Sequence, residues 1–223
     1  MSADASPRLR VGIIGCGEIT QCSHIPTLNN LSHLYQTTYL CDVSKHALNH
    51  CLTKVQGQPP KTTLSAEELC SSSTVDVVLV ANADAYHVPH ALLALKHVKY
   101  CLLEKPAALN FRDIDSLIEA EKISKGGILV GTMRRYATAF KDAVDEVGGM
   151  PKIIYARVRD IIGPNELGVA QSGMYPKRFD DFSDDDNKDR LAREQDMHEQ
   201  ALREEFGVPV TQSSRLMLRV LGA

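Results

Sequence analysis

The sequence predicts an α/β chain wound on both sides of a parallel sheet. Three observations carry that reading. Short apolar runs recur along the first two thirds of the chain, and each stops abruptly at glycine or polar residues. Between them lie segments with helical spacing, the alternation that βαβ units require. One run, Val75-Asp76-Val77-Val78-Leu79-Val80-Ala81, is almost continuously β-branched, as suits a strand covered by helices on both faces.

Leu9 to Ile14 is the first predicted strand and runs into Gly15-Cys16-Gly17-Glu18-Ile19-Thr20. Glycines at the first and third places allow a tight turn and close backbone approach to a pyrophosphate, whose charge then rests on a helix N-terminus. The third glycine of that fingerprint is Thr20 here, which implies slightly looser helix–strand packing. A helix follows over roughly Gln21 to Leu34, with Pro26 interrupting its first turns. The second strand, Thr37 to Cys41, ends at Asp42, about 25 residues after Gly17 and near the roughly 20 of the fingerprint. A carboxylate there is placed to accept from ribose hydroxyls and repels a 2′-phosphate, which favours NAD over NADP. The plainer reading is an Asp capping the helix that starts near Ser44.

Lys45 to Lys54 reads as a helix, Thr62 to Leu64 as a short edge strand, and Ser65 with Glu68 as a reciprocal capping box. The Val75 strand exits through Asn82-Ala83-Asp84-Ala85-Tyr86-His87 into a helix over Val88 to Lys96. Tyr100 to Glu104 is the next strand, stopping at Glu104-Lys105-Pro106. A lysine at a strand exit faces the ligand crevice of a doubly wound sheet, and desolvation there would make its amine a usable acid or base. A solvated strand end is the alternative. Asn110 caps a helix over Phe111 to Ser124, and Ile128 to Met133 is a strand whose exit carries Arg134 and Arg135. An extended exit lets one arginine reach the crevice; two solvated arginines are the simpler account. Ala137 to Val147 is helical.

Gly148-Gly149-Met150-Pro151 marks a boundary. The expected division is a lead-in over 1–7, a dinucleotide-binding domain over 8–148, and a partial substrate or oligomerisation domain over 149–223. Lys152 to Arg159 alternates as a strand, Asp180 to Asp189 suits the first turns of a helix capped by Ser183, and Arg215 to Leu221 is a helix apolar enough to imply burial. A single strand makes no stable sheet. Either another chain covers it, or the sequence stops before its second domain is complete; the second is the expectation.

Composition narrows the function. The formal charge is −3, from 25 basic and 28 acidic residues, which gives no case for nucleic acid or an anionic membrane. No apolar run approaches the roughly 18 residues of a membrane span. Six cysteines without a Cys-x-x-Cys pair read as free thiols of a cytoplasmic protein. A metal at His46, His50 and Cys51 rests on one i,i+4 pair, and none is expected.

Four motifs together resemble the Gfo/Idh/MocA family of nicotinamide-dependent oxidoreductases. They are Gly15-x-Gly17-x-x-Thr20, Asp42, Glu104-Lys105-Pro106, and Gly131-Thr132-Met133-Arg134-Arg135-Tyr136, the last nearest the inositol dehydrogenase branch. The resemblance implies a Rossmann domain followed by an α/β domain that supplies the substrate pocket and commonly an oligomer face, hence a homo-oligomer through the C-terminal region. It implies Gly15, Gly17, Glu18 and Ile19 at the pyrophosphate, Asp42 at the ribose, and Asn82 and His87 near the cofactor, although the family's Thr-Pro is absent there. Glu104 falls at the nicotinamide ribose, Lys105 on the substrate hydroxyl, and Arg135 near nicotinamide and substrate. The family's Asp–His pair has no match, so the expectation is NAD binding with little turnover. The implied reaction is hydride transfer between NAD and a polyol, sugar or related secondary alcohol. A non-catalytic NAD-binding sensor or interaction protein is the alternative.

Overall fold

The structure is a computed structural model that describes residues 7–157, 171 and 173–222. They form two compact units, one reaching Val130 and resuming at Pro176, the other spanning Gly131–Tyr175.

The first unit holds six parallel strands: β1 (Leu9–Ile14), β2 (Tyr35–Cys41), β3 (Lys61–Thr63), β4 (Val77–Val80), β5 (Tyr100–Leu103) and β6 (Gly127–Val130). Their order is β3-β2-β1-β4-β5-β6, so the winding reverses between β1 and β4. That reversal opens a crevice at the carboxyl ends of β1 and β4, between Ile14 and Val80, which are register partners. Successive side chains on a strand face opposite ways. Val78 and Val80 therefore pack with Leu69, Ala91, Ala94 and Leu117 on one side, while Leu79 packs with Ile13, Ile25, Leu40 and Leu48 on the other. The sheet is buried on both faces, as the apolar strands require.

The helices are α1 (Ile25–Asn30), α2 (Lys45–Leu52), α3 (Ala66–Ser71), α4 (His87–Lys96) and α5 (Phe111–Ile123). Ser44, Ser65 and Asn110 cap α2, α3 and α5 by accepting from the backbone N–H three residues on. The capping box at α3 is only half made. Glu68 accepts from Thr63 and Tyr39 hydroxyls instead, and the Ser65 N–H donates to Thr63 Oγ1. The single helix expected over Gln21 to Leu34 is a π-helical turn, Thr20–His24, leading into the shorter α1. Pro26, with no N–H to donate, sits at the junction.

In the second unit a 3₁₀ turn (Met133–Tyr136) precedes α6 (Thr138–Val147), which Gly148 ends in the left-handed conformation (φ 71°). A second 3₁₀ turn (Met150–Lys152) follows. The strand expected over Lys152 to Arg159 is not formed at residues 153–157; residues 158–159 lie outside the described set. Alternation alone does not make a strand without a neighbour to take its hydrogen bonds. Of the connection expected over 161–175, most also lies outside that set.

The first unit resumes with an irregular segment, then α7 (Asp184–Gln200), capped by Ser183, and α8 (Gln212–Gly222). The expected burial of the last helix is only partial. Leu218 is buried with Ala201 and Leu202, but Leu216 and Met217 are exposed. All six cysteines are free. Among the described residues, no helix is long and apolar enough to cross a membrane.

Candidate functional site

The crevice between β1 and β4 opens into a cavity of about 620 Å³. Its floor is the glycine turn, Gly15 to Glu18. Asp42, Val43 and Ser44 form one wall and Asn82, Ala83 and Tyr86 another. The two glycines do different work. Gly15 has φ +101°, and a Cβ on it would lie 2.6 Å from the backbone of Ala81 and Asn82. A Cβ on Gly17 would meet no atom within 4 Å. The first glycine lets β1 turn hard against β4, and the second leaves its flank open to the cavity. Thr20 does not loosen the packing as expected. It is fully buried, and its hydroxyl donates to the Gly15 carbonyl at 2.6 Å.

Asp42 is held to the turn as well as to β2. Its Oδ2 accepts from Cys16 N–H at 2.7 Å and its Oδ1 from Ser44 N–H at 2.8 Å. Burial raises its pKa, and the two backbone donors oppose that shift. Asn82, at the β4 exit, donates from Nδ2 to His90 Nδ1 at 3.0 Å, a ring that burial keeps neutral by lowering its pKa to about 4. The amide oxygen, Oδ1, is buried and has no partner among the described residues. An open glycine flank and an orphaned amide oxygen on one cavity fit a dinucleotide, which brings a pyrophosphate to the first and polar hydrogens to the second.

Glu104 and Lys105 stand at the β5 exit, and the Lys105–Pro106 bond is cis. Glu104 Oε1 pairs with His24 Nε2 at 2.8 Å, and that hydrogen bond lowers the carboxyl's pKa. Lys105 is exposed, so the burial expected to desolvate its amine is not supplied by this unit. His87 does not line the cavity. It is buried between the β4 and β5 exits, with Nδ1 2.7 Å from the Pro106 carbonyl and Nε2 3.1 Å from the Asn82 carbonyl, and a neutral ring, with one N–H, donates to one of the two. Ile19 is exposed and lies outside the lining residues. Arg135 belongs to the second unit. It lies in a 3₁₀ turn rather than an extended exit, with its guanidinium 5.9 Å from the Tyr136 ring centroid.

The remaining wall comes from residues that the sequence reading did not assign to a site. Lys177, Arg178, Phe179, Phe182, Asn187 and Arg190 line the same cavity. Three anchors hold that segment. Gln21, fully buried, accepts from Lys177 N–H at 2.9 Å and donates to the Lys177 and Cys16 carbonyls at 3.0 and 2.9 Å. Asp181 bonds the start of α2 through Ser44 and His46. Tyr86 donates to Asp189 Oδ2 at 2.6 Å, under the Arg193 guanidinium. His24 and Gln21 carried only a helical signal in the sequence. The aromatic-basic run Lys177-Arg178-Phe179 beside an acidic stretch was the one available hint of the rest.

A parallel sheet of this order, with a glycine turn and an acidic second-strand end on one cavity, defines a dinucleotide-binding Rossmann unit. The sequence profile of the Gfo/Idh/MocA group, described as an oxidoreductase family with an NAD-binding Rossmann fold, matches residues 9–132, and the chain belongs to that family. An inositol 2-dehydrogenase of Agrobacterium fabrum is 30% identical over 164 residues, 71% of this chain and 48% of that protein. An inositol 2-dehydrogenase of Saccharopolyspora erythraea is 30% identical over 171 residues, 74% of this chain and 49% of that protein. The structure of myo-inositol dehydrogenase from Lactobacillus casei with NAD(H) and myo-inositol superposes with a TM-score of 0.57 at 25% identity. It covers 63% of this chain and 42% of that one. An oxidoreductase from Thermotoga maritima gives 0.60 at 27% identity, covering 64% and 43%. The chain thus spans about half the length of the curated relatives it matches.

Proposed function

We propose that this chain binds NAD in the cavity between β1 and β4, as the cofactor unit of a dehydrogenase acting on a polyol or sugar-like secondary alcohol. The observation that carries the reading is the cavity itself, in which an open Gly17 flank, the Asp42 carboxylate and the orphaned Asn82 oxygen converge. Gly15, Gly17 and Glu18 would hold the pyrophosphate, with Asp42 at the ribose; Ile19, outside the lining, is carried by the family resemblance alone. NAD is preferred to NADP because a carboxylate at the second-strand end repels a 2′-phosphate. Asn82 and Glu104 would serve the nicotinamide end, and His87 would act there indirectly, from its place between the Asn82 and Pro106 carbonyls. Arg135 is carried by the family resemblance alone.

When bound, the nicotinamide supplies the hydride acceptor or donor. Lys105 Nζ would take the proton of the substrate hydroxyl, directly or by relay, and return it in the reverse direction. Glu104, tied to His24, fixes the strand exit from which that amine projects. Residues 149–223 would begin the substrate and oligomer region while those from Lys177 to Arg190 also wall the cofactor cavity, and a homo-oligomer through this region belongs to the same reading. The relatives named as inositol dehydrogenases support the polyol class. No observation favours the non-catalytic alternative.

NADH fluorescence titration of the 223-residue chain tests the cofactor reading. Saturable binding is expected, with little or no dehydrogenase turnover on polyols from this chain alone. Absence of binding at millimolar cofactor would sink the reading, and measurable turnover would overturn its second part.

A further inference from the structure

At the end of β2, the donors that open α2 are already occupied. Ser44 N–H donates to Asp42 Oδ1 at 2.8 Å, and Ala47 N–H donates to Ser44 Oγ at 2.8 Å. His46 N–H donates to Asp181 Oδ2 at 3.1 Å, and the Ser44 hydroxyl donates to Asp181 Oδ1. His46 Nδ1 lies 3.6 Å from the same carboxylate. Asp181 comes from far along the chain, between the cavity-lining residues Phe179 and Phe182. Its carboxyl is held below the usual aspartate range, chiefly by the Ser44 hydroxyl, so it is charged at neutral pH.

This corner has a defined meaning in a dinucleotide site. The adenosine ribose sits beside the second-strand carboxylate, and a 2′-phosphate on it needs donors or a cation just past that strand. A helix start is the natural source of such donors. Here a second carboxylate takes them and adds its own negative charge next to that of Asp42. We infer that Asp181 is a specificity-determining residue: it fills the place a 2′-phosphate would need and so excludes the 2′-phosphorylated dinucleotide. The inference rests on the cofactor reading above and deepens it. Of the two cations of this segment that line the cavity, Lys177 and Arg178, the second faces Glu18 on the glycine turn, 3.6 Å away.

A purely tethering role for Asp181 is a different hypothesis with a different outcome. Loosening the segment would weaken both dinucleotides alike and leave their ratio unmoved. The test is the dissociation constants of NADH and NADPH for the 223-residue chain, for Asp181→Asn and for the control Asp185→Asn. The control removes the same charge from an exposed position on α7. Asp181→Asn should raise the NADPH-to-NADH affinity ratio at least tenfold, and Asp185→Asn should move it less than twofold. The wild-type chain, independently of any variant, should bind 5′-AMP at least tenfold more tightly than adenosine 2′,5′-bisphosphate. NADH binding with a ratio unchanged by Asp181→Asn, or equal wild-type affinity for the two adenosine nucleotides, overturns this inference and leaves the cofactor reading standing. Failure of the wild-type chain to bind NADH overturns the cofactor reading and this inference with it.

Discussion

Gly15 and Gly17 belong to one motif, yet the structure gives them separable consequences. Gly15→Ala places a methyl 2.6 Å from the Ala81 carbonyl and the Asn82 nitrogen, at φ +101°. The positive φ costs about 1–2 kcal/mol for a residue with a Cβ. Forcing backbone apart to admit the methyl costs about 1–3 kcal/mol more. In a chain of this size each kcal/mol lowers the melting temperature by roughly 2–4 °C, so a fall of roughly 4–20 °C is expected. Gly17→Val adds a larger side chain where nothing lies within 4 Å, so melting should move by less than about 2 °C. Its cost falls on the ligand instead, because the new side chain takes the space that backbone and pyrophosphate must share; NADH affinity should drop at least tenfold. Differential scanning fluorimetry and NADH titration on the two variants separate the effects. A Gly15→Ala protein that melts with the wild type refutes the packing argument. A Gly17→Val protein that binds NADH as the wild type does refutes the assignment of the cavity.

Two further outcomes follow from the same contacts. Gln21→Leu leaves the Lys177 N–H and carbonyl without their buried partner, at about 1–3 kcal/mol for each unsatisfied group, and trypsin should cleave after Lys177 and Arg178 faster than in the wild type; equal rates would contradict the anchoring role. Stability should fall in acid. The pKa values of Glu104, Asp76 and Glu68 are depressed by His24, by Arg10, and by the Thr63 and Tyr39 hydroxyls, so the unfolded chain takes up their protons first. That stability is present above the unfolded values, 4.5 for glutamate and 3.8 for aspartate, and is lost as pH falls through the lower native ones. Asp42, raised by burial, works in the opposite sense and favours the fold at low pH. Melting temperature should therefore decline below about pH 4.5, and a maximum below pH 4 would reverse the reasoning.

Most of the sheet was legible in the sequence because β1, β4 and β5 are local apolar runs with local stops, although β3, Lys61-Thr62-Thr63, has no apolar residue. The caps Ser65, Asn110 and Ser183 were legible for the same reason, since a cap is read from residues three apart, whereas the cap of α2 is Ser44 and not the Asp before it. Glu68 shows where local reading fails: its pattern fits a capping box, but hydroxyls from β2 and β3 compete for the carboxylate and win. Residues 153–157 fail differently, because alternation states which face a strand would bury and not whether a neighbouring strand exists. The glycine turn, Asp42 and Asn82, which line one cavity, were legible as neighbours because a glycine turn and the strand ends beside it are short motifs. The segment carrying Asp181 was not, since its contacts with Gln21 and Ser44 span more than 130 residues of chain. Nothing in the run of aspartates around the start of α7 tells which one reaches the first turn of another helix.

The Glu104-Lys105-Pro106 exit joins these local and long-range parts. Sequence reasoning looked for chemistry in a buried amine, but in this unit the buried contacts belong to its neighbours. Glu104 is tied across to His24 on the helix that follows the glycine turn, and His87 sits between the carbonyls of Pro106 and of Asn82 at the β4 exit. The chain on either side of Lys105 is therefore held from the turn that follows the glycines and from the β4 exit, while Lys105 itself is exposed. A proton-transfer group needs a defined position and a tuned environment, and these are separate demands. The described residues meet the first through two histidines that never touch the amine. In the proposed function, the second demand would be met when cofactor and substrate are bound around Lys105, and Glu104 and His87 would act there as positioning residues.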